Sequence, residues 1–273
     1  MPQADLASPD WRHIRHLDIF LTLLFGLVVV PITAGFLGGL FIRFLYPGAA
    51  ATKAIEANRG LVLIAAGLIQ EAFLVLLAVL LARRRLGRGD DRHGDLLADW
   101  LGLGEPPRFR YLILGTGLGF LLLLLEALGS GLSYGILFAL YGAEKARVLV
   151  EQSGAPVWEW LRSTTGPNQR LALVVLLVVL GPLAEEIWFR GVVYPAWRAR
   201  WGRWVALLVE SAFFGLLHLN WVAWPALFLV GCALTLVYEH YRSLWPAVFA
   251  HAFLNGMVVL ALLAQTGSSG PAV

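Results

Sequence analysis

Apolar segments long enough to cross a membrane are the feature of this chain that most limits its fold. A spanning helix needs about 20 apolar residues, and stretches close to that length recur through the 273-residue sequence. We place the predicted spans at residues 18–43, 61–82, 110–141, 171–195, 204–219, 222–238 and 244–264. Because lipid offers the backbone no hydrogen-bond partners, the predicted fold is an all-α, polytopic transmembrane helix bundle.

The apolar segment 110–141 makes the predicted number of spans seven or eight. It is longer than one crossing requires, and it contains the sequence Gly129-Ser130-Gly131, which can interrupt a helix. A tilted helix, a kinked helix and two short spans all fit this pattern. The first span, 18–43, is too long for a signal-peptide core, so we expect it to be retained.

The composition agrees with a membrane location. Hydrophobic residues make up 59% of the chain and charged residues 14%, whereas about a quarter of the residues in soluble domains are charged. We therefore predict an integral membrane protein, with the lipid bilayer as a partner. Its short C-terminal block and compact extramembrane loops lead us to expect a bacterial cytoplasmic (inner) membrane. The net charge of +3 comes from arginines spread over several loops, which indicates membrane orientation and argues against nucleic-acid binding.

The loop charges also predict an orientation and a division of the chain. Arginines collect at 83–92, at 198–203 and at Arg242, and a seven-span arrangement places these turns and the N-terminus in the cytoplasm. The predicted organisation is a cytoplasmic tail at 1–17, N-terminal helices with loops at 18–165, a catalytic block at 166–264 and a tail at 265–273. Nothing in the sequence indicates an oligomeric state.

Two adjacent glutamates, Glu185 and Glu186, end the apolar stretch 171–184. A carboxylate at the centre of a spanning helix costs about 2.5–3.5 kcal/mol, so such a residue is a functional candidate by default. Residues four apart share a helix face, which pairs Glu186 with Arg190 and turns Glu185 about 100° away. Glu185 therefore has no partner in its own helix and is the predicted general base.

Two histidines in later apolar segments complete a candidate catalytic set. Counted from the turn near Arg200, Glu185 and His218 reach similar depths in an antiparallel helix pair. His251 and Asn255 share one face of the last span. An imidazole can donate a proton and an amide can donate a hydrogen bond, so this pair could stabilise an oxyanion opposite a base.

Three motifs carry a specific resemblance. They are EEIWFRG at 185–191, FGLLH at 214–218 and HAFLN at 251–255. Their order and spacing resemble EExxxR, FxxxH and HxxxN of the CPBP superfamily of intramembrane glutamic endopeptidases, which includes type II CAAX prenyl proteases and abortive-infection proteins. The resemblance covers residues 170–264 and, much less specifically, 97–110.

The resemblance implies proteolysis within the membrane. Glu185 with His218 would activate a water molecule, and His251 with Asn255 would stabilise the oxyanion. Supporting roles fall to Glu186, Arg190 and Phe214. The resemblance implies no cofactor and no metal ion, and its substrate class is membrane-associated peptides or proteins, CAAX-type prenylated ones included.

Other functions remain open from the residues alone. A carboxylate and two histidines also form a catalytic zinc set, so a zinc-dependent protease that uses Glu185, His218 and His251 is an alternative, although the chain contains no HExxH motif. A non-catalytic membrane scaffold or an immunity or regulatory partner is a second alternative. A proton-coupled transporter is a third, because further polar residues lie in apolar segments. These residues are Gln70, Glu71, Glu126 and Glu210.

Overall fold

The computed structural model describes residues 20–21, 24, 30–46, 59–86, 98, 101–164 and 166–268, and every regular element in these ranges is helical. The helices are α1 (Val30–Leu45), α2 (Arg59–Leu86), α3 (Phe109–Tyr141), α4 (Ala143–Ser163), α5 (Pro167–Val175), α6 (Gly181–Trp188), α7 (Tyr194–Leu217), α8 (Trp224–Tyr241) and α9 (Trp245–Ser268). Two wider π-helical turns, π1 (Leu176–Leu180) and π2 (Phe189–Val193), join α5 to α6 and α6 to α7. The predicted N-terminal tail at 1–17 lies outside the described residues.

Four helices among the described residues are long and apolar enough to cross a membrane. They are Arg59–Arg83, Phe109–Tyr141, Pro167–Leu217 and Trp245–Ala264. The third contains 51 residues, and Gly202 breaks it with a left-handed φ of 76°. Aromatic contacts such as Phe189–Phe214, with ring centroids 5.0 Å apart, show that the two halves fold back on each other. The predicted helical membrane bundle is confirmed, whereas the count of seven or eight spans and the cytoplasmic N-terminus stay predictions.

Helix α3 is continuous through Gly129-Ser130-Gly131 and is 33 residues long, so the alternative of two short spans is wrong. Gly129 lies where α3 crosses α8, and a Cβ built on it would stand 2.3 Å from Cα of Ala226. Small residues allow helices in membranes to approach closely. Gly129 is therefore a packing residue, and the sequence signal of a helix breaker was in fact a signal of helix–helix contact.

Substituting these two neighbouring glycines should have opposite results. Gly129→Ala should lower the thermal stability of the detergent-solubilised protein, because overpacking a tight contact costs about 1–3 kcal/mol. Gly131→Ala is the matched control, since beyond its own helical turns its added Cβ would have no neighbour within 4 Å among the residues that the structure describes. Helix propensity should make that variant as stable as the wild type or slightly more stable. Equal losses at both positions would contradict the close contact.

Helix α3 packs most extensively against α9 and α8, and α2 packs against α6. One buried cluster joins Leu122 of α3 to Leu234 of α8 and Ala250 of α9. Helices from both sides of the predicted boundary between residues 165 and 166 thus share one core. The N-terminal helices α2 and α3 therefore pack directly against helices of the segment that carries the three motifs, although the two sets of helices are far apart in the sequence.

The segment before α3 docks onto the turn between α8 and α9. The backbone N–H of Leu244 donates to the carbonyl of Gly102 at 2.9 Å, and Nε1–H of Trp245 donates to the carbonyl of Glu105 at 2.6 Å. Leu101 is buried in the same cluster as Trp188. These contacts hold the start of α9, and with it the HAFLN motif, against the rest of the bundle.

Candidate active site

The helix that carries the two glutamates contains two wide turns. In both π1 and π2 the closing N–H bonds to a carbonyl five residues back instead of four. Each turn ends two residues before a proline, Pro182 or Pro195, which lacks the N–H that a regular helix would use. Such turns often occur at functional sites. Here they stand on either side of Glu185 and Glu186, and π2 contains Arg190.

A fully buried ion network forms behind the site. Arg190 donates from Nη1 to Oε1 of Glu186 at 2.9 Å, and its Nε lies 3.5 Å from Oε1 of Glu210. Nη2 of Arg190 donates to the carbonyl of Gly231 at 3.0 Å, and Thr235 donates to Oε2 of Glu210 at 2.7 Å. The three charged side chains have no exposed surface. The predicted pair of Glu186 and Arg190 is present, but Arg190 balances a second carboxylate as well.

Sequence reasoning missed the role of Glu210 and Thr235. Glu210 was recognised only as a polar residue in an apolar segment, and its partner lies on another helix. Thr235 is the one threonine of α8 and has no sequence signal of its own. Only the packing of α8 against α7 brings Thr235 to Glu210.

His251 contacts both glutamates. Its Nδ1 lies 3.0 Å from Oε1 of Glu186, and its Nε2 lies 3.9 Å from Oε2 of Glu185. An imidazole nitrogen beside a carboxylate oxygen carries the hydrogen and donates it. Glu186 therefore sets the orientation of His251, and Nε2 faces Glu185. For Nε2 to donate a hydrogen bond as well, the ring must be an imidazolium, whose charge Glu186 would stabilise.

Glu185 differs from its neighbour in exposure and in partners. Its side chain is 21% exposed, whereas that of Glu186 is fully buried. Oε2 of Glu185 is itself buried, and within the described part of the chain it has no hydrogen-bond partner. A general base has to be reachable and must have an oxygen available to accept a proton, and Glu185 meets both conditions.

Phe214 connects the three motifs. Its buried ring lies 4.8 Å from the ring of His218 and 5.9 Å from the ring of His251, and the guanidinium of Arg190 lies 4.9 Å from its centre. His218 is exposed at the end of α7, and its Nδ1 lies 2.8 Å from the carbonyl oxygen of Phe214, to which it donates. The histidine placed directly against Glu185 is therefore His251, while His218 approaches the site beside Phe214.

Asn255 has a backbone partner. Its Nδ2 donates to the carbonyl of Leu177 at 2.9 Å. That carbonyl lacks a partner in its own helix, because the N–H of Gly181 bonds to Leu176 and the following residue is Pro182. The amide predicted to bind an oxyanion thus also supports π1, and one of its two hydrogens remains for another acceptor.

Removing this amide should destabilise the fold. Asn255→Leu leaves the carbonyl of Leu177 unpaired, which costs about 1–3 kcal/mol. Thr116→Val is the control, since Thr116 Oγ1 donates at 2.9 Å to the exposed carbonyl of Leu112 within its own regular helix. Thermal unfolding in detergent should show a clear loss for the first variant and almost none for the second. Equal stability of the two would show that Leu177 does not depend on Asn255.

In the described ranges, no group of three or more His, Cys, Asp or Glu side chains is arranged to hold a metal ion. The three residues of the zinc alternative do not come together as one ligand set there. Glu185 lies beside His251, whereas the contacts of His218 are with Phe214.

The fold and the site define a helical integral membrane protein with buried glutamate, arginine and histidine side chains at its centre. Residues 167–257 match the family model described as type II CAAX prenyl endopeptidase Rce1-like. All three motifs lie in this range, so the resemblance expected from them is confirmed for this segment.

The chain is also similar to a Bacillus subtilis (strain 168) protein named "Putative membrane peptidase YdiL", with 26% identity over 88 residues. That match covers 32% of this chain and 36% of the relative, so each protein is matched over about a third of its length. No solved structure matches the chain significantly.

Proposed function

We propose that the protein is an intramembrane, metal-independent endopeptidase with Glu185 as its general base. The observation that carries the proposal is the contrast between the two adjacent glutamates. Glu186 is fully buried in an ion network, whereas Glu185 is accessible and has an oxygen without a hydrogen-bond partner among the described residues. The family match over residues 167–257 supports peptide-bond hydrolysis as the reaction.

The proposed reaction is direct attack by water. Glu185, assisted by His218, takes a proton from a water molecule. At the same time the oxygen of this water molecule forms a bond to the scissile carbonyl carbon. Nε2–H of the His251 imidazolium and the remaining N–H of Asn255 donate to the oxyanion. The proton then passes from Glu185 to the leaving nitrogen as the C–N bond breaks, and no acyl-enzyme forms.

The proposed substrate is a membrane-associated peptide or protein. A cavity of about 440 Å³ lies between α5–π1 and α9 and is lined only by apolar side chains, among them Val178, Phe253 and Met257. Its wall on α9 includes Gly256, the residue after Asn255. This position supports entry of an apolar segment from the lipid towards the motif residues, and prenylated C-termini belong to the substrates to be tested.

New peptide termini in cell membranes test the proposal. Cells that carry the wild type, Glu185→Gln or His218→Ala at matched expression should differ, with a set of termini present only in the wild type. Glu126→Gln serves as the control, because it makes the same change on α3, outside the three motifs. Identical termini from all four folded and inserted proteins would overturn the proposal and favour a scaffold role.

Chelation separates the proposal from the zinc alternative. The purified enzyme should cleave its substrate at an unchanged rate after treatment with a chelator, since the proposed mechanism uses only carboxylate, imidazole and amide groups. A loss of activity that added zinc restores would instead establish a metal-dependent protease. The measurement is the initial rate before treatment, after treatment and after zinc addition.

A further inference from the structure

Glu71 of α2 lies on the face that packs against the motif helix. Gly67, one turn earlier on the same face, is in such close contact that an added Cβ would lie 2.6 Å from Leu176 in π1. Leu74 and Ala78 continue this face and belong to one buried cluster with Ile187 of α6. Glu71 is therefore half-buried on the face of α2 that packs against the helix of the two glutamates, outside the segment that matches the family model.

Glu71 and Glu185 are electrostatic neighbours. Each has its Oε2 buried, and neither oxygen has a hydrogen-bond partner in the described part of the chain. Neighbouring carboxylates in an apolar setting cannot both be charged without a large cost, so such pairs hold one proton between them.

The arginines described on the helices around Glu71 and Glu185 pair with other groups or are exposed. Arg59, at the start of α2, forms an ion pair with Glu159 of α4 at 2.9 Å, and Arg170 of α5 donates to the carbonyl of Thr164. Arg190 of π2 is engaged by Glu186 and Glu210, and Arg43 of α1 is exposed. His251 lies 3.9 Å from Glu185, and Glu186 also binds it.

We propose that Glu71 and Glu185 share one proton, with the carboxyl group of Glu71 donating a hydrogen bond to the carboxylate of Glu185. Glu71 is then a positioning residue, because its hydrogen bond keeps Glu185 ionised and fixes the orientation of the Glu185 side chain. Its effect on the reaction rests on the proposed function. The shared proton does not, since it is a property of the folded protein without substrate.

Infrared spectroscopy of the purified, substrate-free protein tests the pair directly. The wild type should show the carbonyl stretch of a protonated carboxylic acid that Glu71→Gln removes and Glu185→Gln shifts. Glu126→Gln should leave this band in place. A band that survives Glu71→Gln, or that does not respond to Glu185→Gln, would overturn the proposal whether or not the protein is a protease.

The value of kcat/KM tests the effect on catalysis. Glu71→Gln keeps a hydrogen-bond donor, so its kcat/KM should stay near that of the wild type. Glu71→Leu removes the donor that orients Glu185, and its kcat/KM should fall about tenfold.

Thermal unfolding of both variants separates this effect from a loss of folded protein. Wild-type values of kcat/KM from both folded variants would contradict a positioning role. If the wild type cleaves no peptide at all, the proposed function fails, while the infrared result still decides whether the proton is shared.

Discussion

Glu185→Gln should abolish cleavage while the protein remains folded. Glutamine keeps the volume of the side chain but cannot take a proton from water, and general base catalysis contributes about 100-fold to 10,000-fold. Glutamine keeps an acceptor oxygen, and Oε2 of Glu185 has no recorded hydrogen-bond partner among the described residues, so the substitution should cost little stability. The measurement is the cleavage rate on a substrate identified from new termini, together with the melting temperature.

The adjacent residue supplies the control for this experiment. Glu186→Gln makes the same chemical change one residue later, but it weakens the hydrogen bonds from Arg190 at 2.9 Å and from His251 at 3.0 Å. It should therefore lower the melting temperature, which Glu185→Gln should not. A Glu185→Gln protein that cleaves at the wild-type rate would remove Glu185 from the mechanism.

Arg190→Ala should destabilise the protein strongly. The substitution leaves the carboxylates of Glu186 and Glu210 without their cation, and both are fully buried. Removing one partner of a buried ion pair typically costs about 3–5 kcal/mol. We expect a large fall in melting temperature and in the yield of folded protein, measured by thermal unfolding in detergent and by size-exclusion chromatography.

A second arginine with two acidic partners provides the comparison. Arg147 forms ion pairs with Glu144 and Glu151 at 2.8 and 2.7 Å, but these side chains are more than half exposed. Arg147→Ala should leave the melting temperature almost unchanged, because solvent screens surface ion pairs. If both variants were equally stable, burial of the Arg190 network would not be what makes it important.

Much of the fold could be predicted from residues close together in the chain. The apolar runs predicted α2, α3 and α9 because spanning helices satisfy their own backbone hydrogen bonds. The pairing of Glu186 with Arg190 also followed from local geometry, since residues four apart share a helix face. The continuous course of α3 was harder to predict, because glycine both interrupts helices and permits close packing.

The details of the site depended on contacts between helices. The sequence placed Glu185 and His218 at similar depth, but depth leaves the rotation of each helix undetermined. In the structure it is His251 that lies 3.9 Å from Glu185, and Asn255 reaches a carbonyl freed by π1. The π turns themselves were not predicted, although a proline follows each of them.

The sequence by itself determined a helical membrane protein, the helices that carry its three motifs and the family of residues 167–257. These follow from hydrophobicity, from the 3.6-residue period and from motif spacing, all of which are local properties. The tertiary structure alone decided that Arg190 balances Glu210 as well as Glu186 and that Glu71 stands near Glu185. Such contacts join distant parts of the chain, and they depend on how each helix is rotated and how closely glycines let it approach its neighbours.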